Sequence, residues 1–164
     1  MRKLALSDEI LMKVDKAARY IGGEVNSIMK DKNNVDIRFA MCFPDVYEIG
    51  MSNLGMMILY NMFNEREDVW AERVFSPWLD LDKIMREKNI PLFALESQEP
   101  VKDFDFLGIT LGYEMCYTNV LQVLDLSHIS LLAKDREEDD PIVIGGGACA
   151  YNPEPIAEFF DMFY

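Results

Sequence analysis

Hydrophobic and polar positions along the chain follow two patterns: short apolar runs, and longer stretches in which apolar residues recur at helical spacing. The short runs predict strands over residues 35–43, 70–75, 91–95, 105–111 and 141–144. The helical spacing predicts helices over residues 52–64, 78–88 and about 118–128. Strands that alternate with helices indicate βαβ units, and runs that are apolar on both faces indicate a buried parallel sheet. We therefore predict a doubly wound, Rossmann-like α/β domain whose five mostly parallel strands have the flavodoxin-like order 2-1-3-4-5.

The two ends of the chain carry further elements. Ser7 occupies the N-cap position of a helix in which Ile10, Val14, Ala17 and Ile21 recur at helical spacing before Gly22 and Gly23 end it. This helix precedes the first strand, so we predict an N-terminal helical extension over residues 1–34 and the α/β domain over residues 35–164. A short helix is expected at Glu154–Phe159, and residues 160–164 predict the start of another strand. Because the chain stops inside an apolar run, we expect it to be a fragment of a longer protein.

The predicted helix at 52–64 has two features that bear on packing. Ser52 is the expected N-cap, and Leu54, Ile58 and Met62 share one face. We predict that the methionine-rich face of this helix belongs to the core.

Composition excludes several classes of partner. The net charge is −13, from 16 basic and 29 acidic residues, which argues against binding to nucleic acid or to an anionic membrane surface. No apolar run approaches the roughly 20 residues of a membrane span, and acidic residues within the first ten positions exclude a signal peptide. The odd number of widely spaced cysteines favours a reducing compartment, and we predict a cytoplasmic protein. With one histidine and no CxxC or CxxxCxxC spacing, no metal ligands are predicted in this chain.

Three segments should meet at the carboxyl ends of the strands, where doubly wound sheets bind their ligands. They supply the candidate cofactor-binding residues, which are Asp45, Tyr47, Gly50 and Ser52 after the first strand, Thr110, Leu111 and Gly112 after the fourth, and Gly145, Gly146 and Gly147 after the fifth. Each also has a purely structural interpretation, since the triple glycine suits a tight turn, and Asp45 and Ser52 suit caps. The chain contains no identifiable nucleophile–base pair and no GxGxxG motif, so no catalytic residue is predicted.

Several blocks of the sequence resemble those of a known family. The blocks are ARYIGGE (18–24), FPDVYEIGMSNLG (43–55), ERVFSPW (72–78), PLFALES (91–97), YTNVLQVLDL (117–126) and GGGACAYNPEPIAEFFD (145–161). They resemble the amino-terminal part of bacterial radical S-adenosylmethionine (radical SAM) proteins, often labelled Fe–S oxidoreductases, whose first domain is similar to the cobalamin-binding fold. The resemblance implies that a barrel with a CxxxCxxC motif follows, and that this downstream domain is the partner of the present one. The 4Fe–4S cluster and S-adenosylmethionine are then expected only in that downstream domain.

The resemblance also implies cobalamin as a cofactor of this domain. The best-known cobalamin domains carry DxHxxG after the first strand, with SxL and GG later. The corresponding positions here are Asp45 to Gly50, which read DxYxxG, Thr110 to Gly112 near SxL, and Gly145 and Gly146 at GG. Tyr47 stands where a histidine ligates cobalt, and a tyrosine with an ordinary pKa near about 10 is a poor replacement. The resemblance places the dimethylbenzimidazole tail beside Thr110 and the three glycines, under an upper loop formed by Asp45, Tyr47, Gly50 and Ser52.

Two alternatives remain open at the level of the sequence. In the first, the domain keeps the fold without the ligand and serves as a docking or substrate-presenting module of the same enzyme. In the second, it is an independent flavodoxin-like domain that binds FMN or a nucleotide at the same edge of the sheet.

Overall fold

Five parallel strands form one sheet in the computed structural model, which describes residues 3–164. The strands are β1 (Ile37–Phe43), β2 (Val69–Phe75), β3 (Phe106–Thr110), β4 (Ile142–Gly146) and β5 (Met162–Phe163). They lie in the order β2-β1-β3-β4-β5, and every neighbouring pair is parallel. The predicted fold class and the order 2-1-3-4-5 are therefore confirmed, although one of the predicted strands is wrong.

Helices cover both faces of the sheet. They are α1 (Asp8–Leu11), α2 (Tyr47–Met51), α3 (Leu54–Asn64), α4 (Leu79–Lys88) and α5 (Tyr117–Leu126), with short 3₁₀ segments in the connections, including Glu154–Phe159. Met56 and Tyr60 of α3 pack with Met41 and Phe75 on one face. The helices α4 and α5 contribute to a second, larger cluster with alternate residues of β1, β3 and β4. Each face of the sheet thus has its own apolar layer, as a doubly wound domain requires.

The predicted strand at residues 91–95 is wrong. Phe93 forms a single antiparallel bridge to Pro100, and the segment turns back at Gln98, whose φ is 66°. Only Leu95 bonds to the edge of the sheet through its backbone, donating to the carbonyl of Arg73 at 2.8 Å. At the next position the carboxylate of Glu96 accepts from the Arg73 N–H at 2.7 Å, so a side chain replaces the second backbone partner. The fifth strand is instead β5, within the segment where a further strand was expected to start.

The predicted N-terminal helix is shorter than expected. Its first turn starts after Ser7 as predicted, but α1 ends at Leu11. The backbone then leaves helical hydrogen bonding, and the Asp15 N–H donates to the side chain of Asp80 at 2.8 Å. The buried side chains of this segment join the same apolar cluster as α4 and α5; they are Leu6, Ile10, Val14 and Tyr20. The first two residues of the predicted extension lie outside the described residues.

Helix α3 packs through a different face from the predicted one. Its buried row is Met56, Tyr60 and Asn64, whereas Leu54, Ile58 and Met62 are 72%, 49% and 55% exposed. Burial of the two polar residues is possible because both have partners. Tyr60 accepts the Ile28 N–H at 2.7 Å, and the Asn64 amide both donates to and accepts from the backbone of Ala71. The prediction that the whole methionine-rich face is core is therefore correct for Met56 and wrong for Met62.

Two ion pairs are buried on opposite faces of β2. Arg73 is fully buried, donates to Glu96 through Nε at 2.6 Å, and lies over the ring of Tyr60. On the other face, Arg38 donates to the fully buried Glu72 at 2.6 Å. Burial raises the pKa of Glu96 and of Glu72, and the paired arginines oppose that rise. The charges are tolerated because each carboxylate also accepts a backbone N–H, from Arg73 and Ser97 respectively.

Replacing Glu96 by glutamine should strongly destabilise the domain. Glu96→Gln leaves the buried Arg73 charge without its closest counter-ion, and breaking such a pair costs about 3 to 5 kcal/mol. Urea denaturation measures the loss. Asp68→Asn is the matched control, because the Asp68–Arg66 pair is solvent-exposed and should contribute less than about 1 kcal/mol. Equal losses in the two variants would show that the buried pair contributes no more than a surface one.

Candidate functional site

Four loops form the carboxyl edge of the sheet, which is where parallel α/β sheets bind their ligands. They are residues 44–53 after β1, 76–80 after β2, 111–118 after β3 and 147–155 after β4. The chain runs from β1 outwards to β2 in one direction and to β3, β4 and β5 in the other. The crevice between the ends of β1 and β3 is therefore the topological switch point of the sheet.

A hydrogen bond between side chains spans this crevice. Tyr113, in the loop after β3, donates its hydroxyl to Asp45 Oδ2 at 2.5 Å. Asn119 of α5 reinforces the link by donating to the carbonyl of Pro44 at 2.9 Å. This hydrogen bond to the Asp45 carboxylate holds the phenol protonated and, together with burial, raises the pKa of Tyr113 to about 12. Asp45 thus lies at the predicted edge of the sheet, where its side chain is bonded to Tyr113.

Tyr47 turns away from the crevice. Its hydroxyl donates to Glu24 Oε1 at 3.2 Å, and its ring contacts Phe75 edge-on with the centroids 5.6 Å apart. It lines a cavity of about 20 Å³ together with Arg73 and Ser76, and Ser76 Oγ has no hydrogen-bond partner there. A cavity of that size holds about one water molecule. Burial is the main reason why the pKa of Tyr47 is raised.

Gly50 and Ser52 have structural roles. A Cβ at Gly50 would lie 2.2 Å from the ring of Phe75, so this glycine lets α2 approach β2. Ser52 is exposed and donates to the Ile49 carbonyl at 2.8 Å, at the C-terminal end of α2. The predicted N-cap role of Ser52 is wrong, because Asn53 caps α3 by accepting the Met56 N–H at 2.9 Å. The Asn53 side chain reaches that N–H only because α2 and α3 are separate helices.

The absence of side chains in the triple glycine, residues 145–147, leaves space that other atoms of the protein occupy. A Cβ at Gly145 would lie 2.7 Å from the ring of Phe163, and one at Gly147 would lie 2.8 Å from the carbonyl of Leu111. Leu111 also donates its N–H to Gly146 at 2.6 Å, and Gly147 has a φ of 115°. These contacts join the ends of β3 and β4 and support the turn interpretation of the three glycines.

The two remaining predicted residues flank this junction. Thr110 is the last residue of β3 and pairs with Gly146. Gly112 is exposed, and a Cβ there would meet nothing within 4 Å. The structure therefore brings Asp45, Leu111 and the three glycines to one edge with Gly112 open beside them, but it directs Tyr47 elsewhere.

The residues that the sequence analysis missed are large apolar side chains exposed on these loops. Every one of the four loops contributes; the set is Ile49, Trp78, Leu79, Tyr113, Met115 and Tyr151. Met115 is 84% exposed and Tyr151 is 99% exposed. The same four loops contain no lysine or arginine, although the chain has 16 of them. The absence of basic residues from these four loops is visible in the sequence and would have indicated that their surface differs in charge from the rest of the chain.

The cysteines lie beneath this edge. Cys42, Cys116 and Cys149 are all buried and free, and burial raises the pKa of the Cys42 and Cys116 thiols. Within residues 3–164, no group of three or more His, Cys, Asp or Glu side chains is arranged to hold a metal ion.

The positions that the resemblance assigns to a cobalamin tail do not fit that group. The space beside Gly145 is filled by Phe163 and by Leu111, and the space beside Gly147 is filled by the backbone of Leu111. Tyr47 donates its hydroxyl to Glu24 and packs its ring against Phe75. A nucleotide tail therefore has no slot here, whereas the surface above Gly112 is open.

Comparison with known proteins gives one family and one relative. Residues 55–164 match the family model described as radical SAM proteins, N-terminal. The chain is 29% identical over 127 residues to "Uncharacterized protein MJ0966" of Methanocaldococcus jannaschii. The aligned residues cover 76% of this chain and 22% of that protein. The chain thus spans about a fifth of the length of this relative. No solved structure matches the chain. Within residues 3–164, no helix has the length and apolar character that crossing a membrane requires.

Two glycine substitutions separate packing from open surface. Gly147→Ala should destabilise the domain by about 2 kcal/mol or more, because it combines a strained φ with a clash against the Leu111 carbonyl. Gly112→Ala should change the free energy of unfolding by less than about 0.5 kcal/mol, because its Cβ enters open space. Thermal or urea denaturation of both variants makes the comparison. A stable Gly147→Ala variant would contradict the role of Gly147 in joining β3 to β4.

Proposed function

The chain belongs to the radical SAM proteins as their N-terminal domain, and from that premise we propose that it is an accessory domain that docks through its carboxyl edge onto the catalytic domain of such a protein. The family implies a 4Fe–4S cluster and S-adenosylmethionine in the catalytic domain. We assign both to that domain, since residues 3–164 offer no set of side chains for a metal ion.

One observation carries the docking proposal: all four carboxyl-edge loops expose large apolar side chains. Single exposed apolar residues are ordinary on protein surfaces, but a contiguous apolar surface marks an interaction site. The loops belong to four neighbouring strands, so their tips share one end of the domain. Aromatic residues and methionine are the types enriched in the buried centre of interfaces, and this set contains Trp78, Tyr113, Met115 and Tyr151.

The charge of the carboxyl-edge loops limits the classes of partner that can bind there. The four loops carry acidic residues without basic ones, namely Asp45, Glu48, Asp80, Glu114 and Glu154. Glu48 is already paired with Lys16 and Arg19 of the N-terminal segment, whereas exposed Glu114 and Glu154 have no basic residue in their own loops. An anionic membrane or nucleic acid would be repelled by this edge. The complementary surface has an apolar centre with lysine and arginine at its rim, and we propose that the catalytic domain supplies it.

Substitutions at the edge test this docking. We expect Met115→Glu and Tyr151→Glu each to weaken binding to the separately expressed catalytic domain at least about tenfold, because each places a charge where about 1.5 to 3 kcal/mol of apolar burial is expected. Isothermal titration calorimetry measures the affinity. Leu131→Glu is the matched control, since Leu131 is exposed in the loop between α5 and β4, away from the carboxyl edge. Absence of binding by the unmodified chain, or equal affinity of all variants, would contradict the proposal.

Cobalamin binding is the second candidate function, and the open surface at Gly112 favours it. A Cβ at Gly112 would meet no atom within 4 Å, and Tyr113 and Met115 beside it are exposed, although the space at Gly145 is filled by Phe163 and Leu111. Tyr113 and Met115 would hold a corrin ring there by apolar contact.

Titration with hydroxocobalamin separates the two candidates. Under the docking proposal, we expect the visible spectrum of hydroxocobalamin to stay unchanged and dialysis to remove it from the chain. FMN, the ligand of the flavodoxin-like alternative, is the parallel probe in a thermal-shift assay, in which a ligand at 100 times its Kd adds about 2.7 kcal/mol. Retention of one corrinoid per chain, lost in Met115→Glu, would assign the edge to the cofactor instead.

A further inference from the structure

The carboxyl-edge loop after β2 is held in place by the N-terminal segment that precedes β1. The Asp15 N–H donates to the side chain of Asp80 at 2.8 Å, and the Trp78 N–H donates to the hydroxyl of Tyr20 at 3.2 Å. The guanidinium of Arg19 lies over the ring of Trp78, 5.8 Å from its centroid. Three contacts thus converge on one short loop, and two of them fix the same tryptophan.

A second carboxyl-edge loop holds Arg19 over that ring. Glu48, in the loop after β1, accepts from Arg19 Nε at 3.0 Å, and the side chain of Arg19 is only 12% exposed. The hydrogen bond from Arg19 lowers the pKa of Glu48 to about 2, so the carboxylate is charged at neutral pH. Lys16 pairs with the same carboxylate at 3.1 Å, from a solvent-exposed position. Arg19 therefore links the loop after β1 to the tryptophan in the loop after β2.

Trp78 combines a large exposed side chain with a fixed position. It is 49% exposed, although its backbone and one side of its ring contact the N-terminal segment. Met115 and Tyr151 at the same edge are 84% and 99% exposed. A side chain that is free before binding loses rotamer freedom when a partner immobilises it, whereas a side chain that is already fixed loses little. Tryptophan is also enriched among the residues that dominate binding energy at interfaces.

We propose that Trp78 is the principal anchor of the carboxyl-edge docking surface, and that Arg19 is a positioning residue that holds the ring ready for the partner. The inference rests on the proposed docking onto the catalytic domain, and it adds which residue provides most of the binding energy there. The complementary surface then contains an apolar pocket for the free side of the indole, with an oxygen that accepts its N–H.

Isothermal titration calorimetry against the separately expressed catalytic domain tests the anchor. We expect Trp78→Ala to weaken binding at least about thirtyfold, which is the loss typical of a hot spot. Trp78→Phe should weaken binding less than Trp78→Ala but measurably, because a smaller ring remains. Leu79→Ala is the matched control from the same loop, since Leu79 is 72% exposed. It should weaken binding less than about fivefold, as truncation does at most interface positions.

The positioning role is tested by Arg19→Gln and Lys16→Gln. Both remove a basic partner of Glu48, but Arg19 also lies over the ring. Arg19→Gln should weaken binding about three- to fivefold, the range of one cation–π contact, and Arg19→Lys should restore part of the loss. Lys16→Gln should leave the affinity unchanged. In the free chain, Arg19→Gln should increase acrylamide quenching of tryptophan fluorescence, because Trp70, the other tryptophan, is buried.

These experiments distinguish failure of the anchor from failure of the docking. If Met115→Glu weakens binding and Trp78→Ala binds as tightly as the unmodified chain, the docking stands and the anchor is overturned. If the unmodified chain does not bind the catalytic domain, both are overturned. Unchanged acrylamide quenching in Arg19→Gln, or equal affinities of Arg19→Gln and Lys16→Gln, would overturn the positioning role. Circular dichroism checks that each variant folds. Should Trp78→Ala not fold, undiminished binding by Trp78→Phe would overturn the anchor.

Discussion

The outer edge of β2 is closed by side chains and not by another strand, and much of the domain is held through this edge. Asn64 satisfies both backbone groups of Ala71, Glu96 accepts the Arg73 N–H, and Lys30 donates to the Val69 carbonyl. An uncovered edge strand would offer these groups to other chains. Because the three side chains come from α3, the 92–99 segment and the N-terminal segment, closing the edge also fixes these three elements on the sheet.

The fold was predictable from the sequence because its strands are continuous apolar runs and its helices have regular spacing. The same reasoning failed at this edge. Periodicity favoured Leu54, Ile58 and Met62 as the buried row of α3. It does not show that Tyr60 and Asn64 have hydrogen-bond partners elsewhere in the fold, which allow them to be buried. Periodicity also favoured a strand at residues 91–95. It does not show that the Glu96 carboxylate accepts the Arg73 N–H in place of a backbone carbonyl.

The position of the candidate site in the fold was predictable from the sequence, but the residues that form its surface were not. Topology brings the ends of β1, β3 and β4 together, so Asp45, Leu111 and the glycines were expected at one edge. A glycine in the sequence indicates that another group approaches the backbone closely, but it does not identify that group. Here Phe163 occupies the space at Gly145, and Leu111 the space at Gly147, and neither contact can be derived from local spacing. The exposed apolar side chains were missed because exposure depends on tertiary packing.

The pair of buried salt bridges on β2 bears on how the domain responds to heat. Removing charged groups from water costs less at higher temperature, because their hydration becomes less favourable, whereas apolar burial gains little more. The Arg73–Glu96 and Arg38–Glu72 pairs thus contribute more, relative to the apolar layers, as temperature rises. The β2 margin of the sheet therefore depends progressively less on its apolar layers and more on these two ion pairs as the domain is warmed.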